Sequence, residues 1–203
     1  FIYGFPSRRL RVIGVTGTDG KTTTVNLIAS ILKAAGLPVS FLSTINAQIG
    51  RQELDTGLHT TTPSPFLLQR LLKQMVKAGS KYAVLEVTSH ALDQYRTWGI
   101  KFETAVLTNV THEHLDYHKT WEEYLRSKAK LFKNAKIAVL NSDDESFEHL
   151  SKLIATSLPA RLAFGHSKAG GQLSPRSFSF AQSDLEWNRN GRQGRELQGR
   201  VLK

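Results

Sequence analysis

Apolar positions along this chain fall into two rhythms that take turns. Short β-branched or aliphatic runs at 11–15, 37–43, 82–87, 104–110 and 137–141 predict strands. Between them, apolar residues spaced three and four apart at 25–35, 66–76, 121–132 and 144–154 predict helices. A further short strand is expected from Ile45 to Gln52, with Gly50 in a turn. Pro65 and Gly79 bracket the second helix, while Thr120 caps the third ahead of Glu122 and Glu123. Strands that alternate with helices are joined by crossovers, so the expected fold is α/β, a doubly wound and mainly parallel sheet. Beyond about Phe164 the pattern degrades into Gly/Ser-rich and then Arg-rich sequence. Residues 1–165 are therefore read as one domain. Residues 166–203 are read as a basic, poorly ordered tail, with one hairpin at most between Ser177 and Trp187.

The first strand runs directly into Gly17-Thr18-Asp19-Gly20-Lys21-Thr22-Thr23, and a helix follows. Strand, glycine loop and helix in that order aim backbone N–H groups and the positive end of a helix at one point, to which Lys21 adds a full charge. That arrangement suits a polyphosphate, with the Thr22 hydroxyl placed for the magnesium of a nucleoside triphosphate. The expected ligand is Mg-ATP. The spacing departs from the general P-loop pattern, because Val15 stands five before Gly20 and the leading glycine, Gly14, comes one place early. The alternative is a plain glycine turn with an incidental lysine.

Composition narrows the class. A length of 203 residues suits one α/β domain, and the lack of cysteine removes disulfides and thiolate metal sites. No apolar run approaches the roughly 20 residues of a membrane span, and Phe1–Pro6 is too short for a signal peptide. A soluble, cytoplasmic monomer without a membrane partner is the expectation. The net charge of +10 could serve nucleic acid or small polyanions. From Gly165 onward seven Lys or Arg face three Asp or Glu, so +4 of the excess lies in the tail, away from the motifs. Nucleic acid is therefore not the expected partner.

Two further stretches carry candidate chemistry. Glu86 interrupts an apolar strand at its carboxyl end, where open α/β sheets bind ligands and an unpartnered buried carboxylate would be costly. A magnesium ligand is its natural role, and a salt-bridged acid the alternative. His112, His114, Asp116 and His118 resemble the ligand loop of dinuclear zinc hydrolases, but Tyr117 breaks the spacing and such an enzyme has no use for Gly20-Lys21-Thr22. The threonines before Pro63 could simply cap a helix, and Lys128 and Lys130 read as solvated surface.

Taken together, Gly17–Thr23, Thr61-Thr62-Pro63, Leu85–Leu92, Thr108-Asn109-Val110, His114–His118 and Lys128–Phe132 resemble the central, ATP-binding domain of the Mur ligase family. The likeness is strongest to the branch that adds the third amino acid to UDP-N-acetylmuramoyl-dipeptide in peptidoglycan precursor synthesis. It implies an ATP-dependent amide ligase working through an acyl phosphate, with UDP-N-acetylmuramoyl-peptide and an amino acid as partners. By the resemblance, Gly17, Thr18, Asp19, Gly20, Lys21, Thr22, Thr23 and Asn109 bind nucleotide. Thr22 and Glu86 match ligands of a first magnesium, and His114 matches the histidine associated with a second. Lys128 matches a lysine that the family carbamylates. Lys21, Glu86, His114 and Lys128 are thus the implied catalytic set, and Thr61, Thr62, Thr88, Gln94 and Arg96 the implied peptide-substrate contacts. Asp19 stands where the family has asparagine, and Thr60 likewise. Against the family pattern the chain is expected to be a fragment, starting at the linker into the ATPase domain and stopping before that domain is complete. A noncatalytic nucleotide-binding module or gene remnant and, behind it, a metal-dependent hydrolase are the other readings.

Overall fold

The central strand β1 (Arg11–Thr16) buries both of its faces, and the rest of the fold follows from covering them. The structure, a computed structural model, describes residues 3–54, 62–111, 120–154 and 160–165. In chain order it holds β1, α1 (Lys21–Ala34), β2 (Val39–Leu42), β3 (Ala47–Ile49), β4 (Gln52–Leu54), α2 (Pro65–Lys77), β5 (Tyr82–Glu86) and α3 (Ser89–Asp93). These are followed by β6 (Phe102–Leu107), α4 (Trp121–Ala129), β7 (Ala135–Asn141), α5 (Ser146–Ile154) and β8 (Ala160–Phe164). The strands form one sheet in the order β4-β3-β2-β5-β1-β6-β7-β8. From β2 across to β8 neighbours pair in parallel, and only β3 and β4 are antiparallel, at the edge. The expected mainly parallel α/β sheet is what the chain adopts.

Alternation along the strands divides the core in two. Val15, Val84 and Val106 pack with Val25 and Ala29 of α1 on one face. Val12, Leu85, Leu107 and Leu140 face Leu68, Leu72 and Met75 of α2 and Tyr124 and Leu125 of α4 on the other. The chain winds from β1 outward to β2, back to β5, and then across β1 to β6, so the direction of winding reverses at β1. The crevice at the carboxyl end of β1 is the switch point where such sheets bind ligands.

Several boundaries differ from the sequence expectation for identifiable reasons. The expected run at 45–52 is a hairpin of two strands, β3 and β4, turning at Gly50 with φ 59°. α4 stops at Ala129 rather than Phe132, because the chain tightens into a 3-10 turn (Phe132–Asn134) that still points Leu131 and Phe132 into the core. β6 stops at Leu107, after which Thr108 and Asn109 turn toward the glycine loop. Both α3 and β8 went unanticipated: five residues are too few for a helical period, and β8 adjoins the degraded pattern. The alternative in which the threonines cap α2 is not met, since Ser64 occupies the cap position, without a side-chain bond. The tail beyond 165 and its hairpin lie outside the described residues.

Gly14 has a packing role instead of a phosphate role. It lies within β1, and a Cβ there would come 2.8 Å from Phe102 Cε1 and 2.9 Å from Leu131 Cδ1. Both neighbours are buried and can yield only by disturbing the core. Gly14→Ala is expected to destabilise the fold by about 1–3 kcal/mol, seen as a lower urea midpoint at unchanged slope; an unchanged midpoint would refute the assignment.

Candidate functional site

At the carboxyl end of β1 the backbone turns through Gly17 (φ 153°) and Gly20 (φ 72°) into α1. A Cβ at Gly17 would lie 1.8 Å from Thr108 Oγ1, so glycine is required by contact as well as by conformation. Thr108 Oγ1 donates to Asp19 O at 2.7 Å, and Asn109 Oδ1 accepts from the amides of Thr18 (3.1 Å) and Asp19 (2.8 Å). The Thr18 amide also reaches Asn109 O at 2.9 Å. Two loop amides are thus turned onto the end of β6 and away from a ligand. The anion-binding end of the loop is the first turn of α1, which no side chain caps.

Two lysines flank this backbone. Lys21 Nζ donates to Thr18 O at 2.5 Å, and Lys128 Nζ, from α4, donates to Gly17 O at 2.7 Å. Lys128 is only 1% exposed, and its amine sits 4.0 Å from the centre of the Tyr124 ring. The Tyr124 hydroxyl in turn pairs with Thr18 Oγ1 at 3.3 Å, and Thr18 Oγ1 accepts from Thr111 N. Burial, reinforced by the nearby charge of Lys21 and opposed by Asp19, lowers the Lys128 pKa to about 6. Lys128 is therefore no solvated surface residue: near neutral pH it presents an uncharged, nucleophilic amine.

Glu86, at the carboxyl end of β5, is 3% exposed and fully engaged. Its carboxylate accepts from Thr22 Oγ1 (2.9 Å), Thr44 N (2.9 Å) and Thr44 Oγ1 (2.8 Å). These bonds offset the cost of burying the charge. Thr44, just beyond β2, is a site residue that sequence reading missed; its only signal was position after the carboxyl end of a strand. Tyr124 was hidden as one more apolar-face residue of α4.

A cavity of about 510 Å³ gathers the loop residues Gly17 to Thr23 with Thr44, Glu86, Thr88, Ser89, His90, Tyr124 and Lys128. Beside it lies a second cluster. Thr62 Oγ1 donates to Glu86 O (3.1 Å) and accepts from Thr88 N (3.3 Å), while Arg96 Nη1 donates to Thr62 O (2.7 Å) and Arg96 Nε to Gln94 Oε1 (2.9 Å). Thr88 belongs to both, and its hydroxyl also caps α3 by accepting from Ala91 N. The structure thus brings together Lys21, Thr22, Glu86 and Lys128, and next to them Thr62, Thr88, Gln94 and Arg96. Asn109 braces the loop from behind. Thr61, His114 and the rest of the histidine-rich stretch lie outside the described residues.

Comparison with known proteins agrees with this fold. The family model described as the Mur ligase middle domain matches residues 15–194. The UDP-N-acetylmuramoyl-L-alanyl-D-glutamate–2,6-diaminopimelate ligase of Clostridium botulinum is 43% identical over 166 residues, covering 82% of this chain and 33% of that protein. Its namesake from Aquifex aeolicus is 46% identical over 153 residues, covering 74% and 31%. A solved structure of a ligase of the same name superposes with a TM-score of 0.71 at 34% identity, over 80% of this chain and 33% of that one. The chain spans about a third of the length of the curated relatives it matches.

The state of Lys128 has a consequence for stability. In the unfolded chain this lysine holds its proton up to the ordinary lysine range near 10.5, whereas in the fold it gives it up at about 6. Between those values the unfolded state binds the extra proton, so this residue makes the fold less stable as pH falls from about 10 toward 6, with no further change below. Lys128→Met is expected to flatten that slope in urea titrations taken across the interval. Identical pH profiles for the two proteins would refute the neutral amine.

Proposed function

The chain belongs to the Mur ligase middle-domain family, and from that premise we propose that it is the ATP-handling part of a ligase of peptidoglycan precursor synthesis. The reaction joins an amino acid to UDP-N-acetylmuramoyl-dipeptide. The observation that carries the proposal is the meeting of Thr22, Glu86, Lys21 and Lys128 in one cavity at the switch point of the sheet.

Magnesium suits this cavity, because the groups on offer are hard oxygens: the Thr22 hydroxyl and the Glu86 carboxylate it already touches. When bound, the ion would neutralise charge on the β- and γ-phosphates. Lys21 and the first turn of α1 bind those phosphates. Thr62, Thr88, Gln94 and Arg96 hold the peptide substrate so that its terminal carboxylate meets the γ-phosphoryl group. A carboxylate oxygen bonds to phosphorus as ADP leaves, and the amine then displaces phosphate from the acyl phosphate. The incoming amine is 2,6-diaminopimelate in the names of the relatives, and we take it as the first amino acid to test. His114, Thr61 and the remaining nucleotide contacts of the loop take the roles the family resemblance gives them. Ligation also needs the amine held in place and water kept out, which these motifs do not supply, so this chain should bind ATP without efficient ligation.

Lys128 has the properties that carbamylation requires. Its neutral amine adds to carbon dioxide, one proton leaves, and an uncharged amine becomes an anionic oxygen ligand. With carbon-13 bicarbonate near neutral pH, a carbamate carbon signal is expected, absent in Lys128→Met and fading as pH drops below about 6. A signal that survives in Lys128→Met would place the modification elsewhere.

Nucleotide binding is the direct test. Calorimetry with Mg-ATP should show Lys21→Ala binding at least about tenfold more weakly than the native chain. Equal affinity would refute the proposal.

A further inference from the structure

Between the two substrate-cluster residues Gln94 and Arg96 stands Tyr95, whose backbone is left-handed at φ 53°. An aromatic residue enters that region only when its surroundings hold it there, and such positions gather at functional sites. The turn itself is closed by backbone bonds at the end of α3, Tyr95 N to Leu92 O (3.2 Å) and Arg96 N to Ala91 O (2.8 Å), and it is braced from α4 by Lys130. Its ammonium lies 2.6 Å from Asp93 Oδ1 on one side and 5.3 Å from the centre of the Tyr95 ring on the other. Asp93 is the last residue of α3, Lys130 the residue that ends α4, and Ser127 of α4 also donates to Asp93 at 3.5 Å. Gln94 is therefore bracketed by two residues that grip one cation.

The turn so held also fixes the guanidinium. Arg96 N donates to Ala91 O at 2.8 Å, which brings its side chain back over the turn to Gln94 Oε1 and Thr62 O. The same α4 carries Lys128 two residues before Lys130. One cation thus ties the turn that presents Gln94 and Arg96 to the helix that presents Lys128.

We propose that Lys130, clamped between Asp93 and Tyr95, is a positioning residue that sets Gln94 and Arg96 for the peptide substrate relative to the nucleotide cavity. This rests on the assignment of Gln94 and Arg96 to that substrate. Lys130 touches no substrate itself, and its effect passes through the left-handed turn. Removing its charge frees the turn from α4 and releases Arg96 from Thr62, while leaving the glycine loop and α1 as they are.

Nuclear magnetic resonance of the labelled chain separates these possibilities. The Arg96 Nε–H is followed by hydrogen exchange, and the chain is titrated with UDP-N-acetylmuramoyl-dipeptide and, separately, with Mg-ATP. Lys130→Met should speed exchange at Arg96 Nε and weaken the peptide ligand about tenfold while moving Mg-ATP affinity less than about twofold. Lys130→Arg should restore both toward native values. Should Lys130→Met fail to fold, Asp93→Asn, which removes the ion pair while keeping the side-chain shape, should shift exchange in the same direction. Unchanged exchange, or equal weakening of both ligands, would overturn the positioning role. If the native chain shows no response to the peptide, the assignment of Gln94 and Arg96 to it falls. In that event Arg96 exchange alone decides the clamp: faster in Lys130→Met supports it, and unchanged overturns it.

Discussion

A carboxylate buried at the carboxyl end of a central strand is the constraint on which this site depends. Glu86 cannot sit there ionised unless neighbouring elements supply donors. Thr22 comes from α1, Thr44 from the turn after β2, and Thr62, from the segment before α2, bonds to the carbonyl of the same residue. Three separate parts of the chain are thereby drawn to one point. The cavity, the neighbouring Thr62–Arg96 cluster and the start of α1 meet at this residue.

Charge of the opposite sign is handled differently on the other side of the loop. Among the described residues Lys128 has a carbonyl and an aromatic ring for partners and no direct carboxylate, and Lys21 lies close enough to oppose its protonation. The protein therefore stabilises one anion by hydrogen bonding and keeps one amine neutral by desolvation. Two groups of opposite polarity are thus buried on either side of one loop by different means.

Much of the fold was legible because the hydrophobic periods are strong: β1, α1, α2, β5 and β7 stand close to where apolar spacing put them. The glycine loop was legible because its residue types answer a steric and electrostatic demand that few other sequences meet. Less legible were features set by contacts distant in sequence. Gly14 looked like a displaced loop glycine until Phe102 and Leu131 were seen to fill its place. Asn109 looked like a ligand contact, and its side-chain oxygen has a further task in accepting from two loop amides. Lys130 looked solvated, and the partner that shows otherwise lies 37 residues earlier in the chain. Pattern reading sees the face a residue occupies, but a partner is specified only once the sheet has assembled.

The hold of Asn109 and Thr108 on the glycine loop bears on binding kinetics and entropy. Ordering backbone costs roughly 1–2 kcal/mol per residue, and loops that close only around their ligand incur that loss at every encounter. Thr18 and Asp19 are instead tied to the chain just beyond β6 by bonds internal to the protein. Their conformational freedom is surrendered once, during folding. For a phosphate of the proposed nucleotide the first turn of α1 would be a surface already in shape, with no loop ordering to wait for.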